Sequence, residues 1–179
     1  MKPIHLMAAL VLMLTPLMLK PAAALAGEQY VDATGLAVSG YDVVAYRDLE
    51  QVPAGRPQPR AVPGRRDITA EYNGAVFAFA TAANRDRFLT DPARYAPRYD
   101  GHCAYGVARG NKVPGSPDLW RIVDDRLYLN IPPDVAGLWQ ADIPGNIAIA
   151  EENWPAIEPA KASDRAIPDF TPDEPQTDR

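Results

Sequence analysis

Residues 68–80 read ITAEYNGAVFAFA, and this stretch decides the fold class. Apolar and aromatic residues alternate on either side of Asn73 and Gly74. Alternation with period two marks a half-buried strand. Asn followed by Gly is the preferred two-residue turn, because both positions tolerate a positive φ. The stretch therefore predicts a β-hairpin. Next comes Thr81, the expected N-cap of a helical stretch AANRDRFL that ends at Asp91 and Pro92. Residues 92–99 (PARYAPRY) read as a short turn or helix. Residues 119–131 (LWRIVDDRLYLNI) repeat the hairpin pattern around Asp124 and Asp125. Trp120, Ile122, Leu127 and Leu129 take the inward positions of that alternation. Residues 133–153 read as two short helices broken at Pro144 and Gly145. On the upstream side, residues 38–47 (VSGYDVVAYR) read as a short strand or a turn entering a strand. Residues 51–66 (QVPAGRPQPRAVPGRR) form a basic, proline-rich loop, either a solvated surface or a contact for an anion or a partner. Hairpins and helices come in separate runs, which indicates an α+β domain. The expected architecture is a small antiparallel sheet built from two hairpins and packed against short helices.

The two ends of the chain differ from this middle. Lys2 precedes an almost unbroken apolar run over residues 6–19, then Lys20 and Pro21, then Ala24, Leu25 and Ala26 before Gly27. Small residues at the −3 and −1 positions make residues 1–26 a secretory signal peptide with cleavage before Gly27. The alternative is an uncleaved anchor, but the apolar run is shorter than the roughly 20 residues a spanning helix needs. Residues 27–158 are the expected domain. Residues 159–179 read as a Pro-rich, acidic, disordered tail, because few large apolar residues are present to offset ordering entropy. The alternative is a strap held by Ile167 and Phe170. These features place the protein in a periplasm or secreted, with no stable membrane insertion after cleavage.

Composition narrows the function. The 179 residues carry 18 Lys+Arg and 23 Asp+Glu, a formal charge of −5. Losing Lys2 and Lys20 with the leader takes it to −7. Such a balance argues against nucleic acid as a partner. The 19 prolines are about twice average usage and punctuate the chain. One Cys excludes a disulfide framework and Cys-rich metal centres. No GxGxxG, P-loop or Gly-x-Ser-x-Gly motif occurs. All four Met lie in the leader, so a Met-rich copper carrier is excluded.

What remains is one adjacent pair, His102 and Cys103, between Gly101 and Gly106. They are the only imidazole and the only thiol after residue 26. Imidazole with thiolate suits copper or zinc. In a turn or at a helix start both side chains can serve one point, whereas on a strand they point apart. A helix start would also lower the pKa of Cys103 and make it reactive. Cys103 thus reads in three ways, as core packing, as a metal ligand or as a redox thiol. Asp42, Tyr99 and Tyr105 are the groups expected to support the pair. The aromatic residues read as core, with Asp42 at the mouth of any small pocket among them.

The ordered motifs resemble a family. Residues 71–79 (EYNGAVFAF), Asn84 to Phe88 (NRDRF) and Asp91 to Tyr95 (DPARY) look like a YHS domain. The opening GYDVVAY at residues 40–46, CAYG at 103–106, LYLN at 127–130 and NWP at 153–155 are similar to exported bacterial YHS-domain proteins. The resemblance covers about residues 36–157. It implies a small α+β module and metal handling. It also shows departures, since Ala80 and Asn84 stand where metal-linked members carry Cys, and Val43, Val44 and Ala45 replace their opening Cys-Gly-Met. The sequence thus leads to an exported YHS-type ligand-binding domain that binds copper or zinc through Cys103 and His102 as a carrier, chaperone or sensor. A thiol redox protein acting through Cys103, and a metal-free adaptor for a periplasmic protein partner, are the alternatives.

Overall fold

The computed structural model describes residues 27–171, so the expected leader and residues 172–179 lie outside the described residues. The first hairpin pairs β1 (Arg65–Tyr72) with β2 (Ala75–Phe79) in antiparallel register, Tyr72 opposite Ala75. Asn73 and Gly74 turn it with φ of 50° and 76°, the left-handed pair that matches strand twist. Phe77 and Phe79 point inward and meet Phe88 at 5.1 and 5.0 Å between rings. Phe88 lies on α1 (Ala82–Thr90), whose N-cap is Thr81, its hydroxyl accepting from the Asn84 N–H at 3.1 Å. Asp91 then caps the short α2 (Pro92–Tyr95).

The second hairpin pairs β3 (Ser116–Val123) with β4 (Arg126–Asn130). Asp124 and Asp125 take φ of 48° and 61° at its turn. The fold is α+β, but the hairpins remain two separate two-stranded sheets. The outer edges of the second hairpin are occupied. The Gln51 side chain accepts from the Ile122 N–H and donates to its carbonyl, so it stands where another strand would pair. On β4, Cys103 bridges to Leu129. Tyr46, from the segment before the first hairpin, packs on β3 of the second, its ring 5.2 Å from that of Trp120 and its hydroxyl donating to Pro117 O.

Residues 38–47 depart from the strand expectation and form 3-10 turns, Val38–Gly40 and Ala45–Asp48. The cause is Asp42, whose Oδ1 accepts from the Val44 and Ala45 N–H groups and pulls the backbone into a turn. The helices α3 (Ala104–Ala108), α4 (Pro133–Ala141) and α5 (Ile143–Ile157) cover the second hairpin around Trp139, Ala150 and Trp154. The break between α4 and α5 falls at Asp142, not at Pro144 and Gly145. Asp142 caps α5 by accepting from the Gly145 N–H, and Pro144 fits the first turn, where no N–H is needed.

Residues 159–171, expected as part of a disordered tail, lie along the domain as a strap. Ile167 is buried with Tyr30, Cys103 and Ile131, and Phe170 meets Tyr41 at 6.0 Å. The Tyr30 hydroxyl donates to Arg165 O and the Ala162 N–H donates to Glu28 Oε2. Two apolar anchors and backbone groups satisfied by distant side chains offset the ordering entropy that composition alone left uncovered. Among the described residues no helix is long and apolar enough to cross a membrane.

Candidate functional site

The approach to His102 and Cys103 is set by backbone geometry. Tyr99, Asp100 and Gly101 take φ of 57°, 54° and 79° in succession, a tight left-handed turn. Residues 102 and 103 are then extended, with φ,ψ of −80°,158° and −60°,121°. The Cys103 N–H donates to Val113 O at 2.8 Å, and Cys103 is the N-cap of α3. Successive side chains of extended backbone project to opposite sides, so the two groups diverge although they are neighbours.

His102 is fully buried, with the Tyr30 ring edge-on at 6.1 Å and Trp154 at 6.5 Å. Its Nδ1 lies 2.8 Å from Tyr99 O, which only accepts, so Nδ1 carries the hydrogen. Its Nε2 accepts from the Ser163 N–H of the strap at 3.1 Å. Both nitrogens are thus in use within the protein. Burial pushes the imidazole down to about 4, against a smaller opposing effect of the Tyr99 carbonyl. The ring is neutral at neutral pH.

Cys103 is equally buried. Its Sγ lies 3.6 Å from Asn130 Oδ1 and 3.6 Å from Ile131 O, and accepts from the Gly106 N–H at 3.4 Å. Burial raises the thiol pKa, and the N–H groups at the start of α3 only partly oppose that. The activation expected of a thiol at a helix start is therefore outweighed by desolvation, and the sulfur stays protonated at neutral pH.

The expected supporting residues are dispersed. Asp42 is fully buried and lines neither the cleft beside Cys103 nor the polar hollow beside the strap. Its Oδ2 accepts from the Ala80 N–H at 2.8 Å and from Asn84 Nδ2 at 2.7 Å, so it ties the opening turns to β2 and α1. Ala80 and Asn84 thus both meet this carboxylate. Tyr99 gives His102 its carbonyl, while its hydroxyl donates to Glu151 Oε1 at 3.1 Å. Tyr105 alone of the three stands near Cys103, its N–H donating to Asn130 Oδ1 at 3.1 Å. Among the described residues no group of three or more His, Cys, Asp or Glu gathers as a metal site.

Cys103 instead forms part of the wall of a half-open cleft of about 380 Å3. Tyr105, Val113, Ile131 and Val135 supply its apolar surface, and Arg165 and Pro168 of the strap close one side. No carboxylate or imidazole lines it among the described residues. A more polar hollow of about 490 Å3 adjoins the strap at Lys112, Lys161, Asp164 and Arg165. Sequence reasoning missed Asn130, Ser163 and Arg165. Asn130 ends an alternating strand, and its polarity at a buried position was the one signal available. Ser163 and Arg165 carry no local signal, because they act on residues far away in the chain. The chain matches no family model, no curated protein and no solved structure.

Proposed function

We propose that this protein is an exported, non-catalytic ligand-binding domain of YHS type, and that its ligand enters the cleft beside Cys103. The observation that carries the reading is the cleft itself, with an apolar wall of Tyr105, Val113, Ile131 and Val135 and Arg165 among its lining residues. Apolar concavity with a few placed polar groups is the usual form of a small-molecule site. The chemistry suits a small, mainly apolar molecule bearing an anionic or acceptor group toward Arg165. No acid–base pair accompanies Cys103 there, which favours binding over turnover.

A second reading has its own observation. Cys103 Sγ, Asn130 Oδ1 and Ile131 O converge within 3.6 Å of the sulfur. A copper or zinc ion that reached the sulfur from the cleft would find the thiol with these two oxygens beside it, while His102 projects to the other side of the backbone. Metal uptake would have to displace the thiol proton from a buried site, which makes affinity rise with pH.

One experiment separates the readings. Binding of an aryl sulfonate probe is measured by fluorescence for the native chain, Val135→Trp and Arg165→Ala, beside Cu(I) and Zn(II) titration of the native chain and Cys103→Ala. Probe binding that vanishes when the cleft is filled and weakens about tenfold without Arg165 supports the organic ligand. Stoichiometric metal lost in Cys103→Ala, with no probe binding, supports the metal reading. Neither signal leaves the adaptor.

A further inference from the structure

Gly27 is buried, and three distant parts of the chain close around it. Its N–H donates to Glu158 Oε1 at 3.3 Å, at the end of α5. Its carbonyl accepts from Asn73 Nδ2 at 2.9 Å, in the turn of the first hairpin. A Cβ at this position would lie 2.2 Å from Asp100 Oδ2 and 2.8 Å from both Glu158 Cγ and Glu158 O. Any other residue would collide with the two acids, so only glycine lets them approach the backbone.

Asp100 is poised in an unusual way. Its Oδ1 accepts from Gln29 Nε2 at 2.7 Å, and its carbonyl accepts from the Tyr30 N–H at 2.8 Å. Its Oδ2 is buried against Gly27 and has no hydrogen-bond partner among the described residues. The cations that face it are committed elsewhere. Lys112 Nζ donates to Glu158 O and Ala160 O at 2.9 and 2.7 Å, and Arg98 pairs with Glu151. Glu158 therefore meets the Gly27 nitrogen, which offers a single hydrogen while it remains an amide, and the unpaired Asp100 Oδ2 lies against the same residue. A buried acceptor left unpaired is costly.

The sequence places the cleavage point of the leader between Ala26 and Gly27. Hydrolysis of that bond adds one water; the carboxylate leaves with Ala26 and the Gly27 nitrogen becomes an ammonium with three hydrogens. We propose that the Asp100–Glu158 pair is a binding site for this new N-terminus, in which the Gly27 ammonium donates to Glu158 Oε1 and to the unpaired Asp100 Oδ2. The proposal rests on the export-and-cleavage reading. Its consequence reaches the cleft, because residues 27–30 also hold the strap. Glu28 accepts from the Ala162 N–H and Tyr30 donates to Arg165 O. Processing thus completes a clamp that fastens the strap beside Cys103. Burial holds the Asp100 carboxyl up at about 6 without that ammonium, with Glu158 adding to the rise and Lys112 and Arg98 opposing it.

The test compares a chain beginning at Gly27 with the same chain acetylated at Gly27, and each with its Asp100→Asn variant. The acetylated chain keeps the sequence and removes the charge. Titration of the α-amino group by NMR is expected at least one unit above the ordinary value of about 7.7–8.0, which slows amine labelling about tenfold at neutral pH. The elevation shrinks in Asp100→Asn, and the Asp100 carboxyl titrates lower in the free chain than in the acetylated one. An α-amino group in the ordinary range, with Asp100 titrating alike in both chains, overturns the binding site. N-terminal sequencing of the exported protein tests the cleavage reading separately. Gly27 as first residue supports the proposal, and any other start overturns it through that reading rather than through the geometry.

Discussion

Asp42 and His102 are both fully buried polar groups, and they find their partners in different kinds of segment. Asp42 draws on Val44, Ala45, Ala80 and Asn84, all within the first hairpin unit and its opening turns. His102 draws on Tyr99, three positions before it, and on Ser163, a strap residue 61 positions away. The first arrangement is closed within its own unit. The second depends on a segment whose anchors are one buried Ile, one aromatic contact and a few side-chain bonds. The difference teaches where this fold can open. A polar group satisfied by its own structural unit acts as a lock, whereas one satisfied by a crossing strap makes the strap's position part of the site.

The comparison is broken most directly at Asp42. Asp42→Ala leaves the Val44, Ala45 and Ala80 N–H groups and the Asn84 amide without their acceptor. A loss of roughly 3–5 kcal/mol is expected, read as the midpoint shift in urea unfolding. A loss below about 1 kcal/mol would mean that the carboxylate is no lock. The strap should give way differently. Ile167→Asp sets a charge where a buried apolar side chain stood, at an expected cost of about 2–4 kcal/mol. Cys103 should then react with a thiol reagent at least tenfold faster, while amide exchange at Val44 and Ala80 stays as in the native protein. Faster exchange at all of these positions would show a single cooperative unit and erase the distinction.

Acid sharpens it further. The folded His102 titrates near 4 against an ordinary 6.5. The unfolded chain therefore takes up the proton first, and stability present above pH 6.5 is lost as pH falls toward 4. Asp100 acts in the opposite sense, since its folded value near 6 exceeds the ordinary 3.8, so acidification relieves a cost. In an Asp100→Asn background the His102 effect is no longer offset by Asp100. Stability should fall by roughly 2–3 kcal/mol across that interval, and His102→Gln should flatten the profile. A slope that survives His102→Gln belongs to another group. The smallest effect is expected at Tyr99→Phe, which removes the hydroxyl bond to Glu151 but keeps the ring and the carbonyl that holds His102. About 0.5–1 kcal/mol is expected, with the His102 titration unmoved; a shifted His102 NMR titration would place the phenol in the site.

Much of the fold was legible in residues 68–80 and 119–131, because a turn dihedral and a period-two pattern act within a few positions. The same holds for Thr81, whose capping bond spans three residues. The strand expected over 38–47 was misread because Asp42 bends its own neighbourhood while bonding to β2 and α1, and a one-dimensional pattern shows only the apolar residues around it. That the two hairpins form separate sheets has no local signal, since Gln51 and Cys103 meet the edges of the second hairpin from outside its strands.

By itself the sequence determined the hairpins, the capped helices and the α+β class, since each depends on short-range backbone preference and on the spacing of apolar side chains. Only the tertiary structure decided that His102 and Cys103 face apart, that burial outweighs the helix start at the thiol, and that residues 159–171 lie across the domain. Those outcomes depend on desolvation and on bonds between residues far apart in the chain, and both arise only once the chain has folded.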